Sequence, residues 1–210
     1  MLQKCQECLQ VLKFCVCNVV SPVMTDTRVL VIMHYREFDK SSNTGRLVKY
    51  GLKNSEIRVH GFNDNRLETG DLINNGYRKL FLFPRADAKV ITPNMIKNET
   101  EPVMLIIPDG NWRQAARMYT RIGRKNNFEC VKLPPGLPAE YQLRSNAFPE
   151  RLNTFEAIIR AMGMIEGKEV EDRLNILYKT MTTRFLYTRG RAKKSDVYGG
   201  IPEDDISLKK

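Results

Sequence analysis

Short apolar runs separated by polar stretches dominate the hydrophobic pattern of this chain. Apolar runs that are too short for a helix suit strands covered on both faces of a sheet. The pattern predicts strands at residues 28–33, 56–60, 79–83, 103–107 and 129–133. The run at 103–107 contains no polar residue, so we expect that strand to be buried on both faces.

Segments with helical spacing lie between and after these strands. Apolar positions three and four residues apart predict helices from residue 112 onward, at 154–166 and at 170–186. A shorter helix is expected to start near residue 45 and to run to about residue 52. Because strands and helices alternate, the sequence predicts a single layered α/β domain with a mostly parallel sheet.

The segment that follows the strand at 103–107 combines a turn with a helix start. Pro108 and Gly110 interrupt the apolar run, and Asp109 and Trp112, the only tryptophan, stand at the turn. Ligands of open α/β sheets bind beyond the carboxyl ends of the strands. Asp109 is therefore a functional candidate, and the alternative is that its carboxylate caps the following helix.

Charge adds a candidate partner. The 210 residues carry a net charge of +10, which favours a polyanion such as RNA over a neutral ligand. The alternative is a solvated basic surface with no partner. Seven basic side chains in two segments are the candidates for contacts with RNA phosphates: Arg113, Arg117, Arg121, Arg124, Arg189, Arg191 and Lys193.

Several classes of protein are disfavoured. No apolar run reaches the roughly 18 residues that a membrane span needs, and the N-terminus is too polar for a secretory signal. We therefore expect a cytoplasmic protein with no membrane contact. Neither G-x-G-x-x-G nor a Walker A motif occurs, so a nucleotide-like ligand would be held by other loops.

Four of the five cysteines form a cluster near the N-terminus, as Cys5-x-x-Cys8 and Cys15-x-Cys17. Four thiolates at this spacing suit a tetrahedral zinc ion, which would stabilise a segment too short to build a core. The sequence predicts a zinc knuckle at residues 1–25. With four protein ligands the zinc would be structural, and an iron–sulfur cluster or metal-free thiols are the alternatives.

Several motifs together resemble the DTW-domain family, in their order and in their spacing. The four cysteines are followed by Asp109-Gly110-Asn111-Trp112-x-x-Ala115 and by Leu152-Asn153-Thr154-x-Glu156-Ala157. Supporting matches are His34-x-x-Glu37, Ser42-Asn43-Thr44-Gly45 and Phe83-Pro84. Two positions depart from the family pattern, because Asn111 replaces a threonine and Tyr35 replaces a proline.

This resemblance implies an enzyme that uses S-adenosylmethionine. Such enzymes transfer the 3-amino-3-carboxypropyl group to N3 of a uridine in tRNA and release methylthioadenosine. The resemblance also implies a fold similar to the knotted SPOUT methyltransferases and a catalytic domain at 26–194. The polar composition of residues 195–210 predicts a flexible tail. We expect no obligate protein partner.

The same resemblance assigns site residues. Asp109, Trp112 and His34 are expected to be catalytic, with Asp109 acting as a general base or through its charge. The expected cofactor-binding residues are Phe83, Pro84, Asp109, Gly110, Leu152, Thr154, Glu156 and Ala157. Three alternatives stay open: the same transfer on ribosomal RNA, an RNA methyltransferase, and a non-catalytic zinc-knuckle protein that binds RNA.

Overall fold

A computed structural model describes residues 3–61, 69–96, 100–136 and 152–202 of the chain. Its centre is a six-stranded parallel sheet with the order β2-β1-β5-β3-β6-β4. The strands are β1 (Arg28–His34), β2 (Ser55–His60), β3 (Arg78–Leu82), β4 (Lys89–Val90), β5 (Val103–Asp109) and β6 (Glu129–Lys132). All seven residues of β5 are buried, as the apolar run predicted.

Helices cover both faces of this sheet. They are α1 (Tyr35–Phe38), α2 (Val48–Gly51), α3 (Gly70–Ile73), α4 (Trp112–Met118), α5 (Thr154–Glu166) and α6 (Lys168–Thr188). A π-helical segment, Tyr119–Arg124, continues α4. The single layered α/β domain is therefore confirmed.

Alternation along the strands divides the core into two layers, because successive strand side chains point to opposite faces. Leu105 and Ile107 pack in one cluster with residues of α5 and α6. Met104 and Ile106 pack in the other with Met118 of α4 and the π-helical residues Tyr119 and Ile122. The carboxyl ends of β1, β5 and β3 therefore emerge between two layers of helices.

The five predicted strands are present with small shifts at their ends, and two details differ from the prediction. The apolar run was expected to end before Pro108, but β5 continues to Asp109, paired with Met33 of β1. Proline is tolerated there because β3 pairs with β5 only as far as Ile106. No pattern along the chain predicted β4, whose residues Lys89 and Val90 are both exposed.

Some expectations fall outside what the structure describes. The knotted topology stays a prediction, because the connection between β6 and α5 includes residues 137–151, which are not described. Residues 203–210 of the expected tail also lie outside, whereas Val197 is buried and the amide of Tyr198 donates to Thr183 Oγ1. Among the described helices, none has the length and apolarity that a bilayer span requires.

Candidate functional site: a buried aspartate beside an apolar cavity

Asp109 ends the central strand β5 and is only 5% exposed. Its carboxylate accepts two short hydrogen bonds from neutral side chains. Asn43 Nδ2 donates to Oδ2 at 2.6 Å, and Thr154 Oγ1 donates to Oδ1 at 2.5 Å. Donors on both oxygens are the pattern of an ionised carboxylate, whose orientation is then fixed.

The loop before α2 supplies one of these donors and approaches Asp109 closely. Asn43 is 1% exposed, and its Oδ1 accepts from the amide of Arg46 at 3.0 Å, which leaves its amide nitrogen to face the carboxylate. A Cβ atom on Gly45 would lie 2.5 Å from Asp109 Oδ2. Glycine is therefore required there by space rather than by backbone conformation.

The start of α5 supplies the other donor. Asn153 is the N-cap of α5, and its Oδ1 accepts from the amide of Glu156 at 3.0 Å. Thr44 Oγ1 of the loop donates to the same oxygen at 3.0 Å. The loop at 43–45 and the first turn of α5 therefore hold Asp109 jointly.

A cavity of about 260 Å³ opens next to this carboxylate. Six of the eight predicted cofactor-binding residues line it: Phe83, Pro84, Gly110, Leu152, Thr154 and Ala157. The other two lie behind its wall. Asp109 is bonded to Thr154, and the buried Glu156 is bonded to Arg160 and to the hydroxyl of Tyr178, at 3.0 and 3.2 Å.

The turn after β5 shows what caps α4. Asn111, not Asp109, is the N-cap, since its Oδ1 accepts from the amide of Gln114 at 2.9 Å. Gln114 Oε1 in turn accepts from the amide of Asn111 at 2.8 Å, which completes a capping box. The capping alternative for Asp109 is therefore wrong, and asparagine at position 111 retains a capping function.

His34 lies at the end of β1 and caps α1. Its Nδ1 accepts from the amide of Arg36 and lies 3.2 Å from Gln114 Nε2. Burial, with a smaller contribution from His60, lowers the pKa of His34. The ring is therefore neutral near pH 7, with its proton on Nε2.

Trp112 stands at the rim of the cavity and is 42% exposed. Its ring centroid lies 6.2 Å from that of Phe83, which stacks on Tyr119 at 5.6 Å. The Arg85 guanidinium lies over the Tyr119 ring, 5.0 Å from its centroid. An exposed indole on such a stack can bind a planar ring.

The N-terminal cysteines meet the geometric requirements of a metal centre. The Sγ atoms of Cys5, Cys8, Cys15 and Cys17 all lie within 4.8 Å of one another. Two of the pairs are 3.7 Å apart, close to the roughly 3.8 Å expected between sulfurs of a tetrahedral site with Zn–S bonds of about 2.3 Å. The cluster could therefore hold a metal ion.

Local backbone structure favours thiolate formation at Cys5. Although burial opposes it, hydrogen bonds from the backbone of Cys8 and Glu7 lower the pKa of Cys5 to about 7. Cys8 is more deeply buried, which raises its pKa to about 11 in the absence of a cation. A bound cation would reverse that penalty, since thiolates are the ligand form.

The predicted RNA contacts lie on the surface. All seven side chains, at positions 113, 117, 121, 124, 189, 191 and 193, are exposed. The first four lie on α4 and the π-helical segment. The last three come directly after the C-terminus of α6.

Sequence comparison identifies the family of this chain. The pattern of the DTW domain matches residues 2–186, nearly the whole chain. This chain belongs to the DTW-domain family. Named relatives include tRNA-uridine aminocarboxypropyltransferase 2 of Macaca fascicularis, 23% identical over 78% of this chain, and of Drosophila melanogaster, 22% identical over 79%. The chain spans 56% of the Macaca protein and 67% of the Drosophila protein.

Within this DTW domain, several positions at the site had not been assigned from the sequence. Asn43 belonged to a supporting motif of the resemblance without a place among the assigned site residues, yet its side chain holds Asp109. Ala115 and Lys132 line the cavity. Lys132 is the last residue of β6, and this place at the carboxyl end of a strand was the available signal. Its Nζ donates to the carbonyls of Arg85 and Ala86.

Proposed function

We propose that this DTW-domain protein transfers the 3-amino-3-carboxypropyl group of S-adenosylmethionine to N3 of a uridine in tRNA. The observation that carries the proposal is the buried Asp109, hydrogen-bonded on both oxygens at the wall of an apolar cavity in a chain of this family. The names of the relatives, which are tRNA-uridine aminocarboxypropyltransferases, support the choice of group and substrate.

The cavity is the proposed site for S-adenosylmethionine. Its lining is mostly apolar and includes Pro108 and Gly110, which suits a nucleoside with few polar contacts. When bound, S-adenosylmethionine supplies an activated carbon next to a sulfonium. Trp112, at the rim, would stack on the adenine or on the target base.

Asp109 is proposed to act through its charge. Thr154 lies between the carboxylate and the cavity, and both carboxylate oxygens already accept hydrogen bonds. A fixed negative charge near a sulfonium orients the donor without taking a proton. The general-base role stays the alternative, and it requires one of the two donors to move away.

The exposed arginines are proposed to contact tRNA phosphates. Those of α4 and the π-helical segment start beside Trp112, at the mouth of the cavity, and include Arg113 and Arg117. The cluster at Arg189, Arg191 and Lys193 gives a second point of contact. The metal of the cysteine cluster is proposed to be zinc, with a structural role.

Mass spectrometry of nucleosides tests the proposed reaction. Unmodified tRNA is incubated with the protein and S-adenosylmethionine and is then digested to nucleosides. A uridine heavier by one aminocarboxypropyl group supports the proposal, and a gain of one methyl group indicates a methyltransferase. Modification of ribosomal RNA alone would change the substrate, and no modification of either RNA would favour an RNA-binding protein.

Asp109→Asn tests the proposed role of the carboxylate. The amide has nearly the same shape, and the Thr154 hydroxyl can rotate to accept from it, so we expect little change in unfolding temperature or tRNA affinity. Loss of the charge is expected to lower the rate constant measured in single-turnover assays by about 100-fold or more. Wild-type turnover in this variant would contradict the assignment.

A further inference from the structure

The cysteine cluster is bonded to the loop that holds Asp109. Arg46 Nη1 donates to the carbonyl of Glu7, within the Cys5–Cys8 turn, at 2.9 Å. Gln10 Nε2 donates to the carbonyl of Ser41 at 2.7 Å and lies 3.4 Å from that of Cys8. Both side chains are more than nine-tenths buried. Two buried contacts therefore connect the knuckle (residues 3–17) to the loop at 41–46.

The same loop sets the surroundings of the carboxylate. The Arg46 amide donates to Asn43 Oδ1 at 3.0 Å, and Asn43 Nδ2 donates to Asp109 Oδ2 at 2.6 Å. Because Gly45 has no space for a Cβ atom beside Asp109, a shift of the loop would alter this contact directly. Arg46 therefore joins the knuckle, through its side chain, to Asp109, through its backbone.

Charge also couples Arg46 to the cluster. Burial lowers the pKa of Arg46, and interactions that include Cys8 and Asp109 oppose this effect. A divalent cation held by four thiolates leaves two negative charges in excess. The Arg46 guanidinium is held on its other side as well, since Nη2 donates to the carbonyl of Phe38 in α1.

We propose that Arg46 and Gln10 are positioning residues that make the geometry of Asp109 depend on the metal-bound knuckle. This inference rests on the proposed function, since it assigns the knuckle a part in the same reaction. The knuckle would then serve catalysis as well as folding.

Arg184 provides a matched control. It donates from α6 to the carbonyl of Cys15 at 2.9 Å, so it anchors the knuckle through the same type of bond and is also partly buried. Among its described contacts, none joins it to the loop at 41–46. Arg46→Met and Arg184→Met therefore remove comparable anchors, of which one leads to Asp109.

The test compares both variants with wild type in metal content, unfolding temperature, and kcat and KM for both substrates. We expect Arg46→Met to lower kcat by about 100-fold at a metal content and stability similar to those of Arg184→Met, because small misplacements of catalytic groups are costly. Arg184→Met should keep a kcat close to that of wild type. Equal losses of kcat in the two variants would overturn the proposal.

Two further measurements keep the test decisive. Gln10→Leu, a smaller change, should lower kcat in the same direction even if Arg46→Met does not fold. Hydrogen exchange of the amides at 41–47, which needs no enzymatic activity, should accelerate in Arg46→Met and in chelator-treated wild type, but not in Arg184→Met. Unchanged exchange would refute the coupling, whereas absence of transfer by wild type would refute only the proposed function.

Discussion

The knuckle and the sheet are stabilised by different means. In the sheet, β1 and β5 are buried between helices and contribute to both hydrophobic clusters. Within residues 3–17, the buried hydrophobic side chains are Cys8, Phe14 and Val16, and the remainder is polar or partly exposed. The sheet buries apolar surface on both faces, whereas the knuckle adds Cys8 and Val16 to one of the clusters and would gain further order from a metal held by its cysteines.

This difference bears on the proposed function because the loop beside Asp109 also contacts the knuckle. The sheet places Asp109 at the end of β5, but the side chains that orient Asp109 come from a loop and from the start of α5. The loop leads into a three-residue 3-10 turn and then into α2, which has four residues. It also contacts the knuckle. The orientation of the Asp109 carboxylate would therefore depend on the knuckle, which buries less apolar surface than the sheet.

The largest expected effect follows metal removal. A chelator should abolish the hydrogen-exchange protection of the knuckle, whereas protection in β1 and β5 should persist because their core needs no metal. Exchange read by mass spectrometry on the purified protein measures both regions at once. Loss of protection in the sheet as well would show that the two regions fold as one metal-dependent unit.

Leu105→Ala is the reciprocal change. Leu105 is completely buried in the centre of β5, so its truncation should destabilise the protein by about 2–5 kcal/mol in chemical denaturation. The metal content of the folded protein should stay that of wild type, because the cysteine cluster keeps its own contacts. A loss of metal in this variant would contradict the claim that the knuckle and the sheet are stabilised by different means.

A smaller effect concerns pH. Burial, together with nearby positive charge, lowers the pKa of His34 and of His60, both at the ends of sheet strands. The unfolded chain then binds protons first as the pH falls. This contribution to stability is full above the unfolded pKa of about 6.5 and is lost as the pH falls from there towards the folded pKa.

Denaturation midpoints at about pH 7.5 and about pH 5.5 measure this contribution. Both pH values lie above the range in which most carboxylates titrate. We expect a lower midpoint at the lower pH and a smaller difference in His60→Gln. The difference should survive metal removal, because both histidines belong to the sheet. An increase in stability on acidification would contradict the assigned direction.

The smallest effect concerns two residues with left-handed backbone conformation, one in the knuckle and one before β6. Leu9 of the knuckle has φ 59°, and Asn127, before β6, has φ 57°. Asparagine adopts this conformation readily, whereas leucine is strained there by about 1–2 kcal/mol. Leu9→Gly should therefore gain up to about 1 kcal/mol in denaturation after its lost contacts are counted, and Asn127→Gly close to nothing. A larger gain from Asn127→Gly would reverse this ranking.

Much of the fold could be predicted because buried strands appear in the sequence as short apolar runs. Strands covered on both faces must be apolar throughout, so β1, β3 and β5 were predicted within a residue or two of their observed starts. The short strand β4 left no trace, because Lys89 and Val90 are exposed and pair on one side only. The π-helical continuation of α4 was also missed, since its apolar residues fit helical spacing equally well.

The site could be predicted only in part. Side chains at the carboxyl ends of strands were identified, and most of the predicted cofactor residues line one cavity. Their partners could not be inferred, because Asn43 lies 66 residues from Asp109, and the contact depends on which loops the sheet order brings together. The contacts of Arg46 with the knuckle are of the same kind.

The most direct test of the proposed reaction identifies the group that leaves S-adenosylmethionine. Two radiolabelled donors are compared, one labelled in the methyl group and the other in the carboxyl carbon, each with unmodified tRNA. Aminocarboxypropyl transfer predicts that only the carboxyl label enters tRNA, while the methyl label leaves in methylthioadenosine. Methyl label in the tRNA would contradict the proposal and would make this protein a methyltransferase.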